Sequence, residues 1–212
     1  MDTTNQNIGT VAVLGNGPVG QTTALLLARW GIHVLLLDAR SGRDPIGSKA
    51  ICQQRDILDI WDSVGVGRQV ADEGQSLSTA RTFYRDVELF ALDYIEQGSS
   101  PFPPFVNISQ TRTEELLDAA VVPEPLIDVR WAHDVVRVEQ DESEVRVQCD
   151  TVDGPTWFRA DYAVMATGSR SSELRGQLGL GFPGRSFDDK FLICDIQAEL
   201  PDWQQERRFY FD

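Results

Sequence analysis

Within its 212 residues this chain carries 33 acids against 19 lysines and arginines, a formal net charge of −14. No basic stripe is available to offset the repulsion of a nucleic acid or an anionic membrane surface, so neither is expected as a partner. The composition, 42% hydrophobic and 25% charged, is that of a globular protein long enough for one large domain or two small ones.

Residues 1–9 are polar and expected to fray. Thr10 to Leu14 reads TVAVL, an apolar run with two valines that fits a buried strand. It runs into Gly15-Asn16-Gly17-Pro18-Val19-Gly20. Residues 18–30 predict a helix packed through Val19, Ala24, Leu27, Ala28 and Trp30, ended by Gly31. Ile32 to Leu37 predicts a second buried strand that stops at Asp38. Each part of this pattern suits a dinucleotide. Gly15 allows the tight turn, Gly17 lets backbone approach a pyrophosphate, and Gly20 lets helix and strand pack closely. Pro18 starts the helix where its missing N–H costs little. The first-turn N–H groups face the phosphates. Asp38, 18 residues past Gly20, is placed to take both hydroxyls of an adenosine ribose, which favours FAD or NAD over NADP. A glycine turn in some other α/β protein is the plain alternative. The strand, helix and acid around this turn weigh against it.

Ala39 to Ala50 predicts a loop with three cations, Arg40, Arg43 and Lys49. Lys49 and Arg43 are candidates for phosphate or ribose contact; solvated loop charges are the alternative. Cys52 to Val64 predicts a helix from Ile57, Leu58, Ile60, Trp61 and Val64. Trp61 is expected in the core rather than against a ring cofactor. Residues 68–78 read as irregular. Arg81–Tyr84 and Glu88–Tyr94 predict two strands, and SSPFPP at 99–104 stops strand structure. The aromatic side chains of this excursion fit one wall of a pocket for a flat substrate or, equally, a satellite core. A second helix is expected from Thr113, with Thr113 as its cap, closed by Pro123 and Pro125. Ile127–Trp131, Asp134–Asp141, Ser143–Cys149 and Trp157–Arg159 predict a strand and then a meander. Asp161 to Ala166 is a further strand delivering Thr167-Gly168-Ser169-Arg170-Ser171. Leu174–Leu180 predicts a short helix, and Phe191–Ala198 and Arg207–Phe211 predict two strands without visible partners.

Cys52, Cys149 and Cys194 are odd in number and widely spaced, so reduced thiols are expected. His33 and His133 lie in no ligand-like cluster, and no nucleophile elbow accompanies them, so neither a metal nor a Ser-His-Asp site is expected. No apolar run reaches the ~18 residues of a membrane span. MDTTNQNIG has no signal-type segment, so a cytoplasmic location is expected.

Three stretches together resemble the class A flavin-dependent aromatic hydroxylases, built like para-hydroxybenzoate hydroxylase and phenol hydroxylase. They are Gly15–Gly20 with Asp38; Ser48-Lys49-Ala50 with the following helix and Gln110; and Asp161 through Ser171, continued by Phe182-Pro183-Gly184 and Phe191–Asp195. The resemblance implies an α/β fold. It would be an FAD-binding Rossmann-like domain of the glutathione-reductase/para-hydroxybenzoate-hydroxylase type, with the beginning of a mixed-sheet substrate domain. Residues 1–78 and 106–180 would form the FAD domain, 79–105 an excursion into the substrate domain, and 181–212 that domain's start. Gly15, Gly17 and Gly20 would hold the FAD pyrophosphate and Asp38 the adenosine ribose, with Pro18, Val19, Ala39 and Arg40 also in the cofactor-binding set. Lys49 stands where the family has an arginine on the pyrophosphate. Gln110 would reach the ribityl chain. Val136, Thr167 and Gly168 complete the cofactor set, with Arg170 near the nicotinamide groove.

Two departures stand out. Thr167 replaces the family's aspartate and brings no charge, which implies weaker FAD retention or altered coenzyme use. The family's second FAD motif is absent, so the chain is expected to be an N-terminal portion. By itself it is expected to be marginally stable, to bind FAD weakly and to self-associate more in salt. The activity implied for the complete enzyme is hydroxylation of a phenolic or polyketide-type aromatic substrate with NADH or NADPH and O2, through a flavin C4a-hydroperoxide. Catalytic residues are expected beyond Asp212, and a homodimer is possible at full length. A flavin-dependent halogenase or reductase on the same fold is the alternative, or a non-catalytic nucleotide-binding fragment.

Overall fold

The computed structural model describes residues 9–43, 50–94, 99–170, 172–185, 187–190, 192 and 205–212. Lys49, Ser171, Cys194 and, apart from Leu192, the strand expected over 191–198 lie outside these residues, as does the side chain of Arg170. In chain order the elements are β1 (Thr10–Leu14), α1 (Pro18–Arg29), β2 (His33–Leu37), β3 (Cys52–Gln54), α2 (Arg55–Asp62), α3 (Gly67–Glu73), β4 (Gln75–Leu77), β5 (Thr79–Tyr84) and β6 (Val87–Asp93). There follow β7 (Phe105–Asn107), α4 (Gln110–Val121), β8 (Ile127–Arg130), β9 (Asp134–Gln140), β10 (Val145–Thr151), β11 (Gly154–Ala160) and β12 (Tyr162–Met165). A 3-10 turn (Gly168–Arg170), α5 (Ser172–Gln177) and β13 (Glu206–Phe211) complete them.

β1 and β2 are nearly continuous apolar runs because both their faces are covered. They lie at the centre of a four-stranded parallel sheet ordered β12-β1-β2-β8. One face, Val11, Val13, Val34 and Leu36, packs on α1 to α4. The other, Ala12, Leu14, Leu35 and Leu37, packs on the antiparallel meander β11-β10-β9 and on Leu174 of α5. The direction of winding reverses between β1 and β12, and in open α/β sheets ligands bind beyond the strand ends at such a reversal.

Several local expectations are corrected. Residues 52–54 are not helical: they pair with β7 across Cys52↔Asn107, so a tertiary partner captures the first residues of the apolar stripe and α2 begins at Arg55. The stretch 68–78 holds α3 and β4. Its burial rests on few side chains, chiefly Val70 and Leu77, too sparse a pattern to register as periodic. A Cβ on Gly67 would lie 2.2 Å from the Leu58 carbonyl oxygen, so glycine is what lets α3 cross α2. Val19 and Trp30 are not on the packed side of α1 but 69% and 81% exposed. Gln21 and Leu25 are buried there instead, Gln21 because Nε2 donates to Asp118 Oδ1 at 2.7 Å. Ser109, not Thr113, caps α4, accepting from the Arg112 N–H.

The last strand does have a partner. β13 runs parallel to β5 in the sheet β13-β5-β6, pairing Glu206↔Thr79 through Phe211↔Tyr84. By that register Val87, Phe90, Leu92, Phe209 and Phe211 share one face, and all are exposed. The opposite face carries the Arg81–Glu206 and Arg81–Glu88 ion pairs and the stacked rings of Phe83 and Tyr210, with centroids 4.8 Å apart. The aromatic excursion is thus divided. Phe102 joins the main core, Phe105 packs on Tyr94, and Phe90 stays in solvent. Trp61 is core, as expected, 4% exposed, and its Nε1 donates to Thr22 Oγ1 at 2.8 Å. Cys149 is buried, and desolvation, with Asp134 and Asp150 nearby, pushes its thiol up to about 12, which makes it inert.

Candidate dinucleotide site

The winding reversal places the turn after β1 against the end of β12. Gly15 has φ +111°, and a Cβ there would lie 2.5 Å from the Ala166 carbonyl oxygen. On Gly20 a Cβ would lie 1.7 Å from the Gly15 carbonyl oxygen. On Gly17 it would meet no described residue within 4 Å. The three glycines therefore divide their roles. Two close the turn on the protein, and the third leaves one side of it open. Gly17 is the N-cap of α1 and Pro18 its first residue. No side chain caps the helix and no acid stands in its first turn, so its leading N–H groups are left for an anion.

Asp38 follows β2 and is buried. Its Oδ2 accepts from the Asn16 N–H at 2.8 Å and Arg40 Nη2 at 3.0 Å, and its Oδ1 from the Arg40 N–H and Nε, both at 2.9 Å. Burial pushes this carboxyl up, but the Arg40 guanidinium and the N–H groups of Arg40 and Asn16 more than offset that and hold it below the usual carboxylate range. Four donors occupy the roughly four lone-pair sites of a carboxylate. Asp38 is thus first an organiser of its own loop. The approach to β9 is tied to it, because the His133 N–H donates to the Asp38 carbonyl and the Ala132 N–H to that of Arg40.

A group whose folded pKa is depressed stabilises above its unfolded pKa, and that contribution is lost as pH falls through the folded value. Asp38 therefore adds stability that is complete above about pH 5 and is lost progressively as pH falls below about 4, through the depressed folded value. In thermal melts the wild-type Tm should fall over that interval more steeply than that of Asp38→Asn. Parallel curves would show that Asp38 is not a stabilising ion.

The remaining expected residues are spread along the same edge. Val19 is exposed at the first turn of α1, and Ala39 is exposed beside Arg40. Gln110 heads α4; its Oε1 accepts from the Ala50 N–H at 3.1 Å and its Nε2 donates to Glu114 Oε1 at 2.9 Å. Val136, on β9, accepts at its carbonyl from Gln177 Nε2 at 2.7 Å. Thr167 lies against the turn, its Cα 3.2 Å from where a Gly15 Cβ would stand, and its buried Oγ1 has no hydrogen-bond partner among the described residues. Gly168 follows with φ +61°.

Sequence reasoning missed a cluster beneath the turn. Arg43 binds Asp118 through Nε–Oδ2 and Nη2–Oδ1, each 2.6 Å, and Glu114 Oε2 through Nη1 at 3.2 Å. Its guanidinium lies 5.1 Å from the centre of the Trp131 ring. Arg43 therefore turns to helix α4 rather than outward. The spacing of Gln110, Glu114 and Asp118, one helical turn apart each, was the available signal. Among the described residues no His, Cys, Asp and Glu cluster is arranged to hold a metal ion, and no helix is long and apolar enough to cross a membrane.

A reversed parallel sheet, a glycine turn open on one side and an acid after the second strand define a nucleotide-binding α/β domain. The chain belongs to the FAD binding domain family, whose model matches residues 9–210. It is 26% identical over 188 residues to para-nitrophenol 4-monooxygenase of Pseudomonas sp. (strain WBC-3), covering 88% of this chain and 46% of that protein. It is 30% identical over 200 residues to a flavin-dependent monooxygenase of Mycobacteroides abscessus, covering 90% and 41%. Among solved structures it is similar to the flavin-dependent monooxygenase PieE in complex with FAD and substrate, with a TM-score of 0.73, 26% identity, and coverage of 84% of this chain and 33% of that one. The chain thus spans less than half the length of these relatives.

Proposed function

We propose that this chain is the FAD-holding portion of a monooxygenase that hydroxylates a phenolic or polyketide-type aromatic compound with reduced nicotinamide and O2. The observation that carries the reading is the division of the three glycines at the β1–β12 reversal. Two close the turn tightly, and Gly17 leaves open the side that a pyrophosphate would take. The unpartnered, buried Thr167 Oγ1 beside that turn fits a ligand too, since an unsatisfied buried hydroxyl costs about 1–3 kcal/mol until a partner arrives.

In this reading Gly15, Gly17, Pro18, Val19 and Gly20 bind the pyrophosphate, and Thr167 and Gly168 close over it from β12. Asp38, Ala39 and Arg40 hold the adenosine, a ribose hydroxyl reaching Asp38 by displacing part of the Arg40 fork. Gln110 and Val136 complete the cradle, with Lys49 on the pyrophosphate and Arg170 toward the nicotinamide. Bound FAD supplies hydride acceptance from NADH or NADPH and the activation of O2. Residues 1–78 and 106–180 form the FAD domain. Residues 79–105 and 181–212 contribute to the substrate domain, where the apolar face of β5, β6 and β13 suits a flat ring.

The names of both relatives point to the same reaction class, and the PieE complex to the same cofactor. The test is a titration of the chain with FAD, followed by flavin fluorescence, with ADP and NADP as competitors. FAD should saturate a single site and ADP should compete. Absence of FAD binding at millimolar concentration would sink the reading. A longer protein that contains this chain should consume O2 and NADH when given a phenol it hydroxylates, and should release no halogenated product.

A further inference from the structure

Asn16 is the residue of the turn whose backbone is wholly engaged on the protein side. Its N–H donates to Asp38 Oδ2 at 2.8 Å. Its carbonyl accepts from two guanidinium groups, Arg40 Nη2 at 3.1 Å and Arg43 Nη1. Its side-chain Oδ1 accepts from Arg43 Nη2 at 2.9 Å. A trans peptide is planar, so the carbonyl of residue 16 and the N–H of residue 17 point to opposite sides. Fixing the Asn16 oxygen on the arginine side fixes the Gly17 N–H on the other, and Gly17 is where a Cβ would meet no described residue within 4 Å.

Arg43 is itself held from three directions. Asp118 grips it bidentately at 2.6 Å, Glu114 adds a contact at 3.2 Å, and Trp131 lies against its face. The two acids stand one turn apart on α4, which is anchored to α1 through Gln21 and Asp118. A planar, forked cation is the group that can reach a carboxylate pair and a peptide oxygen together; a lysine cannot.

We propose that Arg43 is a positioning residue for the cofactor. It does not touch the dinucleotide but holds the 16–17 peptide so that the Gly17 N–H is presented to the pyrophosphate. The inference rests on the FAD reading above for its ligand, but not for the geometry it describes. The bland alternative is an ion cluster that only joins a loop to a helix.

The test compares wild type, Arg43→Lys and Arg43→Met as nitrogen-15-labelled protein without ligand, and then in FAD titrations. Arg43→Lys keeps the charge between the two acids, so a loss in that variant is a loss of geometry. The Gly17 amide order parameter should drop from about 0.85 in wild type to below about 0.6 in both variants, while those of β1 and α1 hold. FAD affinity should fall about tenfold to a hundredfold, the range for a hydrogen bond to a charged group. An unchanged Gly17 order parameter in Arg43→Lys overturns the proposal, even if FAD affinity falls, because the cluster then acts only through charge or folding. Ordered wild type and disordered variants with equal FAD affinity also overturn it. If wild type binds no FAD, the functional reading fails separately, and the unliganded order parameters still decide what Arg43 does to the turn. Should Arg43→Met not fold, the comparison of wild type with Arg43→Lys is sufficient to decide.

Discussion

Gly20→Ala is expected to unfold much of the nucleotide domain, while Gly17→Ala should fold normally and fail to hold FAD. The added methyl on residue 20 would stand 1.7 Å from the Gly15 carbonyl oxygen, a backbone atom that no side-chain rotation can move aside. Overpacking costs about 1–3 kcal/mol where side chains yield, and more where backbone must. At residue 17 the backbone is extended, with φ −88° and ψ −176°, which alanine adopts without strain. There the fold should gain up to about 1 kcal/mol from a less flexible unfolded chain. Its methyl would instead occupy the open side proposed above for the pyrophosphate. Melting curves and FAD titrations of both variants separate the two roles. A Gly20→Ala protein that melts like wild type would show that β1 and α1 can part, and a Gly17→Ala protein with wild-type FAD affinity would place the ligand on another side of the turn.

Trp61→Ala should be the most damaging of the core truncations at the α1–α2 contact. Trp61 is 4% exposed and reaches from α2 to Thr22 of α1. Removing a buried tryptophan costs about 3–5 kcal/mol, a large share of the roughly 5–15 kcal/mol of a typical domain. For a chain of this size that corresponds to a Tm lower by roughly 6–20 °C. Trp61→Phe keeps one aromatic ring but loses part of the indole together with its N–H, so it should cost less than Trp61→Ala, about 1–3 kcal/mol. Urea midpoints of the two variants test this. Equal losses would mean that the hydrogen bond, not the ring, carries the contact.

The nucleotide half is legible in the sequence because its signals are local. TVAVL, the three glycines and Asp38 lie within thirty residues, and each residue type answers a backbone or ligand demand that few others meet. Short elements are not legible. Cys52 to Gln54 shows nothing of a strand until β7 arrives from fifty residues further on, and α3 buries too few side chains to mark a period. The ribose role of Asp38 rests on distance along the chain alone. The structure shows that its oxygens first satisfy Asn16 and Arg40. Arg43 stands out in the sequence by its charge, but its acids sit on another helix, and nothing in a local window links residue 43 to residue 118.

The central strand of the sheet waits for one of its two neighbours. β1 pairs with β2 within a few turns of chain, but its other edge is closed only by β12, and the Thr10 N–H meets the Asp161 carboxylate across 151 residues. At the ribosome's pace of ~5–20 residues per second, that interval lasts roughly 8–30 s. Until then the turn carrying Gly15 lacks Ala166 and Thr167 beside it, and the meander that covers Leu14 and Leu37 is completed only just before β12. Helix-side packing is available early and sheet closure only late. If the turn holds the flavin as proposed, its capture during synthesis waits for the delivery of residue 167, and a nascent chain stalled before that point presents an open strand edge to chaperones.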